Sequence, residues 1–191
     1  MQRKLKIAAL LAAVLVLNSA YAAAEQSFGD WLINFNRQKG VKPVTDRLYL
    51  EECGGCHFAY QSGLLPARSW EALLNRDALR KHFGANAELD DDTLKDIHDY
   101  AVDNAADKSW YKRSRKIAVA TKTGPAPLRI TELLYISRKH HDIPEKMIKG
   151  NKGVKSLSFC DKCHTQAAQG VYDADTVNIP NYPNWDGWFA R

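Results

Sequence analysis

Apolar residues in this chain fall into one unbroken block near the start and short stripes at helical spacing afterwards. The block, Ile7 to Leu17, follows Arg3, Lys4 and Lys6 and gives way to the small-x-small ending Ala20-Tyr21-Ala22. That order is the pattern of an export signal, so residues 1–22 are expected to be a signal peptide cut after Ala22 or Ala24. An uncleaved N-terminal anchor is the other use of such a block, but the apolar run is short for a comfortable span and no second one follows. The mature chain is therefore expected to have no membrane span and to work outside the cytoplasm.

The stripes predict helices. Residues 46–52 read as a short helix leading to Cys53. Ser69 is placed to cap a second helix in which Trp70, Leu73, Leu74 and Ala78 share a face, His82 extends that face, and Gly84 closes it. A third begins in Asp90-Asp91-Asp92, whose charges suit a helix N-terminus, and continues through Leu94, Ile97 and Ala101. Between 108 and 122 the pattern turns basic (Lys108, Lys112, Arg113, Arg115, Lys116, Lys122) and runs into Gly124-Pro125-Ala126-Pro127, which breaks regular structure. Such a run is most often a solvated face; an acidic docking partner is the alternative use. Residues 129–142 predict a helix ending before Pro144, and beyond it only a turn at 145–148 is expected. The tail carries Tyr182, Trp185, Trp188 and Phe189 among prolines, rings suited to covering an apolar edge.

All four cysteines lie in two pentapeptides, Cys53-Gly54-Gly55-Cys56-His57 and Cys160-Asp161-Lys162-Cys163-His164. C-x-x-C-H is the spacing of covalent c-type haem attachment, with the thiols on the vinyl groups and the histidine beneath the iron. A structural zinc explains the pattern less well, because its cysteine pairs lie closer in sequence and need no adjoining histidine. A disulfide or thioredoxin-like site explains neither the duplication nor the histidines. The chain thus predicts two haem c groups held by Cys53, Cys56, Cys160 and Cys163, with His57 and His164 as proximal iron ligands. It predicts a mainly α fold of two small haem-binding lobes, 23–107 and 129–191, joined by a basic linker at 108–128, the second lobe being short and irregular with few helices. Lobes so small bury little apolar area alone, so the porphyrins should complete their cores.

The second axial ligands follow from scarcity. Once Met1 is lost, Met147 is the one methionine left, so at most one iron can be His/Met. Four histidines stand outside the motifs: His82, His98, His140 and His141. His82 is the first choice for the haem at Cys53 and Cys56, with His98, which shares a face with Leu94 and Ala101, as the alternative. For the other haem His140 follows Leu133 and Ile136 on the more apolar face, with His141 and, less favoured, Met147 as alternatives. Net charge falls from +5 to +2 when Arg3, Lys4 and Lys6 leave, and haem propionates lower it further, which gives nucleic-acid binding no support.

These residues also resemble a known family. The runs LYLEECGGCHFAY at 48–60, GLLPARSW at 63–70, HFGANAELD at 82–90, RITE at 129–132, HHDIP at 140–144 and VKSL at 154–157 are similar to bacterial dihaem cytochromes c of the DHC type. The resemblance implies a first lobe like a class I cytochrome c, a less typical second lobe, and bis-histidine ligation. It further implies a periplasmic electron-transfer protein, not an enzyme, passing electrons from a membrane b-type cytochrome or quinol chain to a small haem protein or reductase. Two other uses stay open at this stage: a haem enzyme or gas sensor with one displaceable axial ligand, and a dedicated dihaem subunit of a periplasmic reductase.

Overall fold

Helix α1 (Arg47–Gly54) forms because Asp46 caps it, its carboxylate accepting the Tyr49 amide at 2.8 Å. Its anchor is Tyr49, 1% exposed, whose hydroxyl donates to the Tyr60 carbonyl and whose ring meets Trp70 edge-on and Tyr100 at a tilt. The computed structural model describes residues 39–183 and 185, so the expected signal peptide and the tail rings Trp188 and Phe189 lie outside the described residues.

The expected second helix is two helices. α2 (Ala67–Leu73) starts after Pro66, and Asp107, from a distant turn, accepts its first amide at 2.7 Å. Ser69 is therefore no cap; it is fully buried. The chain leaves helical geometry at Leu74, and α3 (Arg76–Arg80) begins afresh because the Asn75 side chain accepts the Ala78 amide. A helical stripe cannot reveal such a restart, since the apolar spacing is kept through it.

α4 (Asp91–Asp103) follows expectation, with Asp90 capping Thr93 and Asp91 and Asp92 in the first turn. It buries Ile97 and Ala101, and it packs against α1 and α2.

Residues 108–128 are the stretch expected as a linker. They hold α5 (Lys112–Ala120), which buries Ser114 and Ile117, both at 0% exposure. The packing is close enough that a Cβ on Gly63 would stand 2.5 Å from the Ser114 hydroxyl. Nor is the basic run simply solvated. Arg113 is turned inward, donating to the Tyr172 carbonyl at 2.7 Å, to Asp173 at 2.9 Å and to the Tyr135 hydroxyl at 3.3 Å. Two buried positions within nine residues are too sparse to stand out against five cationic ones in 108–116.

The helix expected at 129–142 is a 3-10 turn (Ile130–Glu132), an extended break at Leu133, and α6 (Leu134–His140). Ile130 and Leu133 are buried in the larger apolar cluster, which includes Val41, Tyr49, Leu65, Trp70, Ile97 and Ile117. That cluster thus runs through the stretch expected as a linker and into the one expected as a second lobe. The smaller cluster is Met147, Val154 and Ile179, with Ile143, Ile148, Cys163, Val177, Tyr182 and Trp185 against it. Beyond α6 the described chain has 3-10 turns and isolated bridges, with no strand among the described residues, so the fold is mainly α and irregular towards its end. The described residues pack as one unit. Gly170, at φ +75°, closes it by accepting from the amides of Gly40 and Val41, and a Cβ there would run into the Val41 carbonyl.

Ile117→Ala should cost about 2–5 kcal/mol in denaturant unfolding, as a buried truncation does. A residue in a true linker would stay within about 0.5 kcal/mol.

Candidate haem-binding sites

The first motif begins inside α1, so Cys53 is held by the helix whereas Cys56 sits in the turn that follows and is exposed. Burial, helped by the charge of Glu52, pushes the Cys53 thiol up to about 12. His57 shares its Nδ1 with the Phe58 carbonyl at 2.8 Å. When that nitrogen carries the proton, Nε2 is left with a free lone pair, the tautomer a metal-binding imidazole needs.

Opposite it stands His82, its ring nearly parallel to that of His57, with centroids 6.2 Å apart and planes 19° off parallel. The sequence reaches this position by ending α3 at Arg80 and turning sharply. Phe83 (φ 50°) and Gly84 (φ 98°) both have positive φ, and the Ala85 amide closes the turn on the His82 carbonyl at 3.0 Å. Left-handed geometry at a bulky residue such as Phe83 costs about 1–2 kcal/mol. Arg129 lies 4.0 Å over the Phe83 ring and contributes a cation–π contact of about 0.5–1 kcal/mol at this exposed position. Burial lowers the basicity of His82, with His57 and Arg129 adding to the effect, so it is neutral at neutral pH.

The second motif is a 3-10 turn, Cys160–Lys162, followed by Cys163 and His164. Burial raises both thiols, Cys160 to about 11, with Asp161 adding to each. Burial also brings His164 down to about 4, reinforced by His140 and Arg113. Its Nδ1 is buried without a hydrogen-bond partner among the described residues. An orphaned buried nitrogen is costly unless something else engages the ring. His140, the last residue of α6, places its ring 5.9 Å from that of His164 at 77°. Its Nδ1 faces the Ile136 carbonyl at 2.8 Å, again leaving Nε2 for another partner.

The alternative candidates face other neighbours. His98 turns to Asp99 at 3.1 Å on the outer part of α4. His141 is exposed, with Nδ1 near the Arg138 carbonyl and Nε2 on Asp142, each at 3.0 Å. Met147 is packed in the smaller apolar cluster. Among the described residues no group of three or more His, Cys, Asp or Glu converges as a zinc site would require. The two imidazole pairs instead fit a metal held between them: nitrogen donors about 2 Å away on either side put ring centroids about 6 Å apart.

Three residues beside the sites are not among those that the sequence singles out as candidates. The Tyr60 ring lies 5.0 Å from that of His57, and the Tyr172 ring 5.1 Å from that of His164. Gln61, 1% exposed, lies between them, accepting from the Tyr172 hydroxyl. Tyr60 stands three positions after His57, which was a cue; Tyr172 had none, because only the fold brings it to its histidine.

Comparison with known proteins shows the family. The family model described as dihaem cytochrome c (DHC) matches residues 49–172. The chain is similar to the crystal structure of a dihaem cytochrome c from Shewanella baltica OS155, with 38% identity and a TM-score of 0.59 over 73% of this chain and 97% of that one. A dihaem cytochrome c from Rhodobacter sphaeroides is 42% identical at a TM-score of 0.59, over 69% of this chain and 100% of that one. No curated protein matches. With two attachment motifs, two facing imidazole pairs and a family match across most of its described length, the chain belongs to the dihaem cytochrome c family and binds two haem c groups covalently.

Proposed function

We propose that this dihaem cytochrome is an electron carrier in the bacterial periplasm, with each iron ligated by two histidines, His57 with His82 and His164 with His140. The observation that carries the reading is the pair of imidazole gaps, 6.2 and 5.9 Å between centroids, each joining a motif histidine to one far away in sequence.

When bound, the two haems supply reversible one-electron chemistry at iron. The polypeptide's part is to hold four imidazoles ready and correctly turned. The Phe58 and Ile136 carbonyls orient His57 and His140, burial keeps His82 and His164 deprotonated, and the turn at Phe83 and Gly84 presents His82. A protein that already provides one donor on each side of each iron leaves no position for substrate, as suits a carrier whose ligands stay put when charge changes. Two nitrogen donors without a thioether favour a lower potential than His/Met ligation. Donor and acceptor are then partners of low-potential chains: a membrane b-type cytochrome or quinol chain on one side, a small haem protein or reductase on the other. Among the described residues no helix is long and apolar enough to cross a membrane, which suits a carrier that meets a membrane donor by docking.

Electron paramagnetic resonance of the oxidised protein should show two low-spin imidazole-ligated signals and no high-spin signal. His82→Ala and His140→Ala should each turn one haem high-spin, whereas His98→Ala and His141→Ala should leave both low-spin; the reverse result reassigns the ligands. Carbon monoxide should leave the spectrum of the reduced native protein unchanged, and a marked shift would favour a ligand-binding haem protein instead. Mass spectrometry of the protein recovered from the periplasm should give a chain beginning after Ala22 or Ala24 and carrying two haems; a cytoplasmic, full-length chain would refute export.

A further inference from the structure

The two haem sites are tied together by a pair of crossed contacts. Tyr60 lies against His57 of the first site, yet its hydroxyl donates to the Ser158 carbonyl at 2.5 Å, two residues before Cys160 of the second. Tyr172 lies against His164 of the second site, yet its hydroxyl donates to Gln61 Oε1 at 2.5 Å, the residue following Tyr60. Gln61 completes the exchange by donating its amide to the Ala167 carbonyl at 2.5 Å, three residues after His164. All three bonds span 98 to 111 residues of chain. Burial raises both phenols, Tyr60 to about 12, so the hydroxyls remain donors throughout the neutral range.

We propose that Tyr60, Gln61 and Tyr172 are positioning residues that form a reciprocal tether, so that the ring orientation of each proximal histidine depends on the state of the other haem site. The inference rests on His57 and His164 being the proximal ligands. Its physical basis is that contacts around a ligating imidazole set ring orientation and basicity, and through them the properties of the metal. Here each such contact is anchored not in its own site but in the neighbouring one. A tyrosine pressed on one histidine cannot shift without disturbing a hydrogen bond in the other site's loop, and Gln61, only 1% exposed and bonded at both ends of its amide, passes the disturbance on.

The test uses the dihaem-loaded protein and the variants Tyr60→Phe, Tyr172→Phe and the double, which keep ring and volume and remove only the hydroxyl. The readouts are the g-values of the two low-spin signals and the two midpoint potentials from an EPR-monitored redox titration. The expected result is that either single substitution shifts both signals and both potentials, and that the double variant departs from the sum of the singles. If each substitution moves only the haem beside its own tyrosine, or moves neither, the tether is refuted. Should Tyr172→Phe fail to fold, Tyr60→Phe is judged by the same criterion. A high-spin signal in the unsubstituted protein would instead refute the histidine ligation, so the two failures are told apart.

Discussion

Everything in this protein is subordinate to holding two imidazole rings about 6 Å from two others, with the partners in each pair drawn from different parts of the chain. His57 and His82 are separated by α2 and α3; His140 and His164 by a stretch with almost no regular structure. Neither gap closes unaided, because facing imidazoles at that distance have no attraction sufficient to order the chain between them. The surrounding packing must fix them, and it does so by different means. The first pair is held by helices that converge on Tyr49 and Trp70. The second is held by hydrogen bonds and by leaning on the first.

That dependence is visible in where the buried residues go. The smaller cluster has three fully buried apolar residues, too few to hold a loop-rich segment in one conformation. The deficit is made good across the molecule. Arg113 reaches from α5 to Tyr172 and Asp173, Gln61 reaches Ala167, and Gly170 receives Gly40 and Val41. A basic residue on a helix beside solvent is thus spent inside, which is why the cationic run does not read as a patch of uniform character. Its neighbours keep surface roles: Lys108 pairs with Asp103 at 3.0 Å where solvent screens it.

How much of this could be read in advance follows from the range of the interactions. The attachment motifs were legible because their chemistry is strictly local, five residues each. α4 was legible because cap, acidic first turn and apolar stripe agree with one another. His82 and His140 could be singled out because each ends an apolar helical stripe, though which ring faces which is a tertiary matter. Illegible were the restart at Asn75, where one side-chain oxygen overrides an unbroken stripe, and the break at Leu133, which trades a helical turn for burial. The burial of α5 rests on Ser114 and Ile117 alone, and one of those is polar. Tyr172 is the extreme case, since its partners His164, Gln61 and Arg113 come from three separate stretches.

The junction of Gly40 and Val41 with Gly170 carries a consequence for the order of events in biogenesis. Contacts that close loops of well over a hundred residues form late, because their entropy must be met before they return any stabilisation. A latch of that reach, made by a residue that tolerates no side chain, closes after the nearer helices have condensed.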